Sequence, residues 1–215
     1  MPVGSTGGRW RGGILRAIAC GMCLAALGCA TTEKPVGPAV LRPAPQQAST
    51  SQIVGDAIVA SLGGAGVALR WMDAGAVREY FAGRPGLVSP WPEEMWKESP
   101  PTIFLVRIRN QARDEVQFDP AMVALTSQDG ERDRPVPYEE LYMRLAEAED
   151  AAPRLVSLQA TLLSRFVVIP PGGQREGLLL FPSVRPEAVH LLLDLSSFFV
   201  GGRSFSGRFE FQVSR

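Results

Sequence analysis

Seven short runs of this chain alternate apolar and polar residues with a period of two, the spacing of a strand buried on one face. In the clearest, Thr102 to Asn110, Phe104, Val106 and Ile108 fall on one side while Leu105, Arg107 and Arg109 fall on the other. Val67, Leu69 and Trp71 alternate in the same way with Ala68, Arg70 and Met72. Further runs cover residues 116–126, 165–169, 176–181, 189–199 and 206–214. Asp129-Gly130, Pro170-Pro171-Gly172-Gly173 and Gly201-Gly202 punctuate them with turn residues. Gly63-Gly64-Ala65-Gly66, ahead of the 67–72 run, reads as a flexible lead-in.

The period changes to that of a helix in two places. Asp73 suits an N-cap, Val77, Tyr80 and Phe81 share one helical face, and Gly83 suits the end, which predicts a short helix over 73–82. Between the third and fourth strand runs, Pro137 suits a first helical position, and Tyr138, Leu141, Tyr142 and Leu145 recur at helical spacing. Pro153 starts a second helix with Leu155, Leu158 and Leu162 on one face, so residues 137–164 form a helical insertion. Short strands without a strand–helix–strand rhythm predict an antiparallel, immunoglobulin-like β-sandwich of about seven strands.

Before residue 53 the pattern is different. Arg9, Arg11 and Arg16 precede an uncharged run of 12 residues, Ala17 to Gly28, and then Cys29. That is the layout of a secretory leader, and the run is short of the roughly 20 apolar residues needed to cross a bilayer. Ala26-Leu27-Gly28-Cys29 resembles the lipobox of bacterial lipoproteins, with Ala26 where leucine more often stands. The resemblance implies cleavage before Cys29 and acylation of its thiol and amine, hence a lipid anchor in the cell envelope. Ala30 in place of aspartate favours the outer membrane, facing the periplasm, in a Gram-negative source. Prolines 35, 38, 43 and 45 and many small polar residues predict an unstructured tether. The expected organisation is a leader over 1–28, a lipidated tether over 29–52 and a sandwich over 53–215.

Removal of residues 1–28 deletes three arginines and no acid, which leaves 19 basic against 22 acidic residues, a formal balance of −3. Nucleic acid is rejected as a partner, because phosphate contacts require a clearly basic surface. Cys20, Cys23 and Cys29 are the three cysteines, so the body beyond residue 29 has no thiol and no disulfide.

Residues 104–125, FLVRIRNQARDEVQFDPAMVAL, and 167–182, VVIPPGGQREGLLLFP, are similar to those of secreted bacterial lipoproteins of uncharacterised function with a telokin-like immunoglobulin-like domain. The resemblance implies a sandwich fold and carries no functional residue.

Candidate chemistry is sparse. His190, the single histidine, shares a strand face with Asp194 at about 13 Å, too far for a dyad. No Gly-x-Ser-x-Gly elbow and no cysteine-based nucleophile is present in the body, and zinc ligands are lacking. Acid groups at Glu93-Glu94 and at Glu147, Glu149 and Asp150 read as solvated charge. The expectation is therefore a non-enzymatic protein without cofactor or metal. Two features bear on binding. Trp91, Met95 and Trp96 form an aromatic loop that either caps the core or meets a partner, and Tyr138, Leu141, Tyr142 and Leu145 either cover a sheet edge or form a docking face. The expected role is a membrane-anchored module contacting another envelope protein, with small-ligand or glycan binding, or assembly of a secretion complex, as alternatives.

Overall fold

The computed structural model describes residues 37–92, 97 and 100–215. Among them are twelve strands in two antiparallel sheets, with helices layered on the outside of one sheet. The first sheet runs in the order β1 (Val40–Pro43), β12 (Arg203–Ser214), β11 (His190–Val200), β6 (Val116–Phe118) and β9 (Val167–Ile169). β7 (Ala124–Ser127) also pairs with β11, and β8 (Arg132–Asp133) pairs with β7. The second sheet runs β10 (Gln174–Phe181), β5 (Thr102–Asn110), β4 (Ala65–Met72), β3 (Ala57–Leu62) and β2 (Ser51–Val54).

The β-sandwich expected from the alternating runs is present, with more strands than the seven runs suggested. One run splits: Pro120 opens a 3₁₀ turn, capped by the Asp119 carboxylate accepting from Ala121 N, and breaks residues 116–126 into β6 and β7. The sandwich also begins earlier than expected. Val40 to Pro43 pair with Ser214 to Phe211, Leu41 is buried, and Ala44 N donates to the Glu210 carbonyl at 2.9 Å. The Gln46 side chain extends this pairing, donating to Glu210 O and accepting from Glu210 N. The prolines do not prevent it because β1 is an edge strand, where a missing N–H leaves no ladder partner orphaned. The tether reading of residues 40–52 is thus corrected. Gly63-Gly64 is likewise no flexible lead-in: both glycines have positive φ and close the two-residue hairpin joining Leu62 to Ala65.

Two cores result. Between the sheets lie Ile58, Val67, Leu69, Phe104, Val106, Ile108, Phe118, Phe181, Leu193, Phe198, Phe209 and Phe211, all fully buried. Phe104 meets Phe181 of its own sheet at 5.9 Å and joins the two sheets through Phe211 of β12 at 5.1 Å. The second core lies on the other face of the β10–β5–β4 half-sheet. There Met72, Ile103, Leu178 and Leu180 meet α1 (Ala74–Ala82), α2 (Tyr138–Ala146) and α3 (Ala151–Thr161). Covering a strand on both faces requires a continuous apolar run, and Leu178-Leu179-Leu180-Phe181 and Ile103-Phe104 are such runs.

The helices form close to where the sequence placed them, with Pro137 as the N-cap of α2 rather than its first residue and α3 opening at Ala151, two residues before Pro153. Asp73 Oδ1 accepts from Ala76 N at 2.7 Å to start α1, and Gly83 N closes it on Glu79 O. α2 carries Glu139 and Glu140 in its first turn and Arg144 in its last, favourable for its dipole, with Glu140 and Arg144 paired at 2.5 Å. The insertion also closes an edge. Val136 N donates to Leu180 O at 2.7 Å and Leu163 N to Leu178 O at 2.8 Å, so the outer side of β10 is not an open edge. Gly177 permits this approach: a Cβ there would stand 2.7 Å from Leu163 Cγ and 2.8 Å from the Thr161 carbonyl.

Candidate functional site

The residues singled out for binding separate into interior and surface. Trp91 is 3% exposed and meets Phe81 edge-on at 5.9 Å; its indole N–H has no partner among the described residues. Leu141 and Leu145 are buried beneath α2 in the second core. These three offer no area to a partner, because the uncovered face of β5, β10 and β4 needs their apolar surface more than solvent would tolerate it. Tyr138 is half-buried, its ring 6.1 Å from that of Tyr142, and Tyr142 is 45% exposed. Cys29, Met95 and Trp96 lie outside the described residues.

His190 does not engage Asp194. Its Nε2 lies 3.4 Å from Glu210 Oε2, because β12 places Glu210 opposite Leu192, diagonal to His190. Asp194 stands opposite Arg208 on the same ladder. Glu147, Glu149 and Asp150 are exposed between α2 and α3, and Arg154 Nε contacts Asp150 Oδ1 at 2.6 Å. That hydrogen bond holds the Asp150 carboxyl below its ordinary value. Among the described residues no three His, Cys, Asp or Glu side chains gather in a metal-holding arrangement. No described helix is long and apolar enough to cross a membrane.

Three features that the sequence did not bring together carry the remaining surface chemistry. The first is an open cleft of about 940 Å³ at the end of the sandwich where the chain enters. Val40, Trp71, Pro101 and Val184 give it apolar walls, and Asp73, Arg185 and Arg215 stand among them. The cations are engaged: Arg185 pairs with Glu131 at 3.1 Å and Asp133 at 3.4 Å, and the Arg215 guanidinium donates to the Ala188 and Arg185 carbonyls. Residues from five distant stretches line this cleft, and only the strand register shows that they share one end.

The second is a charged seam between the covered and open halves of the outer sheet face. Glu176 accepts from Arg84 at 2.5 Å and from Arg107 Nε at 2.7 Å, while the Arg84 guanidinium stacks 3.5 Å from the Tyr80 ring centroid. Burial pushes the Tyr80 hydroxyl above its ordinary value, against the opposing pull of Arg84. The seam fastens α1 to β10 and β5.

The third is a smaller groove of about 400 Å³ where residues 163–167 cross from the edge of one sheet to the edge of the other. Tyr138, Leu162, Arg165, Phe166, Val168 and Arg175 are among its walls.

The chain matches no protein-family model and no curated protein. Among solved structures, the yjhA protein of Bacillus subtilis is similar over 65% of this chain and 77% of its own length, with 12% identity and a TM-score of 0.34.

Proposed function

We propose that this chain is a lipid-anchored, non-enzymatic module of the cell envelope that acts by contacting other envelope proteins. The observation that carries the reading is the leader-like run ending in Ala26-Leu27-Gly28-Cys29, placed only eight residues before Gly37, where the described chain enters the sandwich. Eight residues reach at most about 28 Å, so an acylated Cys29 would hold the cleft end of the sandwich close to a bilayer. Several acyl chains, at about 0.8 kcal/mol per buried methylene, would make that attachment lasting.

The end cleft favours a second reading, capture of a small ligand or glycan. Its volume of about 940 Å³ falls within the usual size of ligand sites, and Trp71 supplies a ring for stacking.

Expression of the chain with Cys29→Ser tests the first reading. The unaltered protein is expected in the membrane fraction with radiolabelled palmitate incorporated, and the variant without label and released from the membrane. Equal membrane retention of the two proteins would reject the anchor.

A further inference from the structure

We propose that the groove at the 163–167 crossover docks an extended, acidic segment of a partner protein. The inference rests on the protein-contact reading above and names the face and the partner chemistry.

Phe166 is 56% exposed and Val168 51% exposed, a large aromatic and a β-branched residue two apart on one side of the chain. Their neighbours Val167 and Ile169 turn toward the core, so the outward pair is not cover for the interior. β9 ends its sheet: Val167 to Ile169 pair with Phe118 to Val116 on one side, and no described strand pairs on the other. An unpaired edge offers main-chain donors and acceptors to an extended chain, while pockets beside it select alternate side chains.

Charge selects the occupant. Arg165 and Arg175 line the groove, neither forms an ion pair among the described residues, and none of the ten lining residues is acidic. The body beyond the leader has a formal balance of −3, so this local excess of guanidinium is opposite in sign to the molecule that carries it. An apolar wall flanked by two guanidiniums suits a strand alternating carboxylate and apolar side chains. A lipid surface fits less well, because the groove is concave and membrane recognition by charge uses clusters of about four to eight basic residues.

The test uses the full chain in detergent and a fluorescein-labelled peptide of alternating Glu and Val. A peptide of alternating Lys and Val is the control. Saturable binding of the Glu-Val peptide is expected, weakened at least about tenfold in an Arg165→Glu, Arg175→Glu variant and again in Phe166→Ala, with thermal unfolding of both variants unchanged. Absence of saturable binding, equal binding of the Lys-Val peptide, or indifference to the charge reversal would overturn the proposal. So would displacement of the peptide by phosphatidylglycerol vesicles but not by phosphatidylcholine vesicles, which would reassign the groove to lipid. These readouts do not depend on acylation, so an unmodified Cys29 and an empty groove are distinguishable results.

Discussion

The side-chain amide of Asn110 donates a 2.9 Å hydrogen bond to the carbonyl of Ile169, joining the last residue of β5 in one sheet to the last residue of β9 in the other. The same amide donates to Asp114 O at 2.8 Å, and its oxygen accepts from Ala112 N at 2.9 Å. The Asn110 main chain adds bonds to Gly172 and Gly173. The buried side chain thus fixes the 111–114 loop and the spacing of the sheets at this end, while the main chain of the same residue holds the 170–173 turn.

Asn110→Ala leaves one N–H and two carbonyls without their partner, at about 1–3 kcal/mol for each group that stays dry. A loss of about 2–4 kcal/mol is expected, lowering the melting temperature by about 5–15 °C. Calorimetry checks it, and a shift of under about 2 °C would show that water replaces the side chain without penalty.

Gly177 in β10 and Gly66 in β4 flank β5 in the second sheet, with opposite surroundings. A Cβ at Gly177 would press on Leu163 and the Thr161 carbonyl, whereas none at Gly66 meets anything within 4 Å. Gly177→Ala is expected to destabilise by about 1–3 kcal/mol and to speed amide exchange at Leu163. Gly66→Ala is expected to be neutral or slightly stabilising, as measured by denaturant unfolding.

The helical layer makes a similar contrast. Leu158 is fully buried against the sheet and Met143 is 71% exposed on α2. Leu158→Ala should cost about 2–5 kcal/mol, while Met143→Ala should stay within about 0.5 kcal/mol. Equal effects in urea titrations would mean that the helices are not packed as described.

What could be read from the sequence followed from how many faces of each strand are buried. β5, β11 and β12 alternate cleanly enough to be placed from Phe104, Leu193 or Phe209 and their neighbours. Asp73 and Gly83 marked the ends of α1. β1 is not legible in the sequence because Pro43 and its flanking prolines resemble a linker, and only the register with Ser214 to Phe211 makes Val40 to Pro43 an edge strand. β3 is hidden by its small residues: Ala60 interrupts the apolar face of Ile58 and Leu62, and Ala57 and Ser61 make the opposite face weakly polar. The run Leu178-Leu179-Leu180 held the signal for a second core, since alternation disappears when both faces are covered. The Asn110 hub is not legible because its bond to Ile169 spans 59 positions, and the crossover groove because its walls come from α2, the 162–168 stretch and β10, which only the folded topology brings together.

Tyr80 is expected to weaken the fold at alkaline pH. Desolvation raises its hydroxyl above the ordinary 10.0, with Arg84 opposing, Glu176 adding and Arg107 opposing. The folded state therefore favours neutral Tyr80. Its contribution is complete below the unfolded value and is lost as pH climbs through the folded one. Stability is expected to fall more steeply above about pH 10 in the native chain than in Tyr80→Phe. Denaturant midpoints of the two proteins across that range check the difference; parallel curves would remove Tyr80 as the cause.

The proposed envelope role depends most directly on the chemical state of Cys29. Mass spectrometry of the N-terminal peptide from membranes of the native host is predicted to find Cys29 as the first residue, carrying a diacylglyceryl thioether. An unmodified Cys29, or a chain still bearing residues 1–28, would contradict the account.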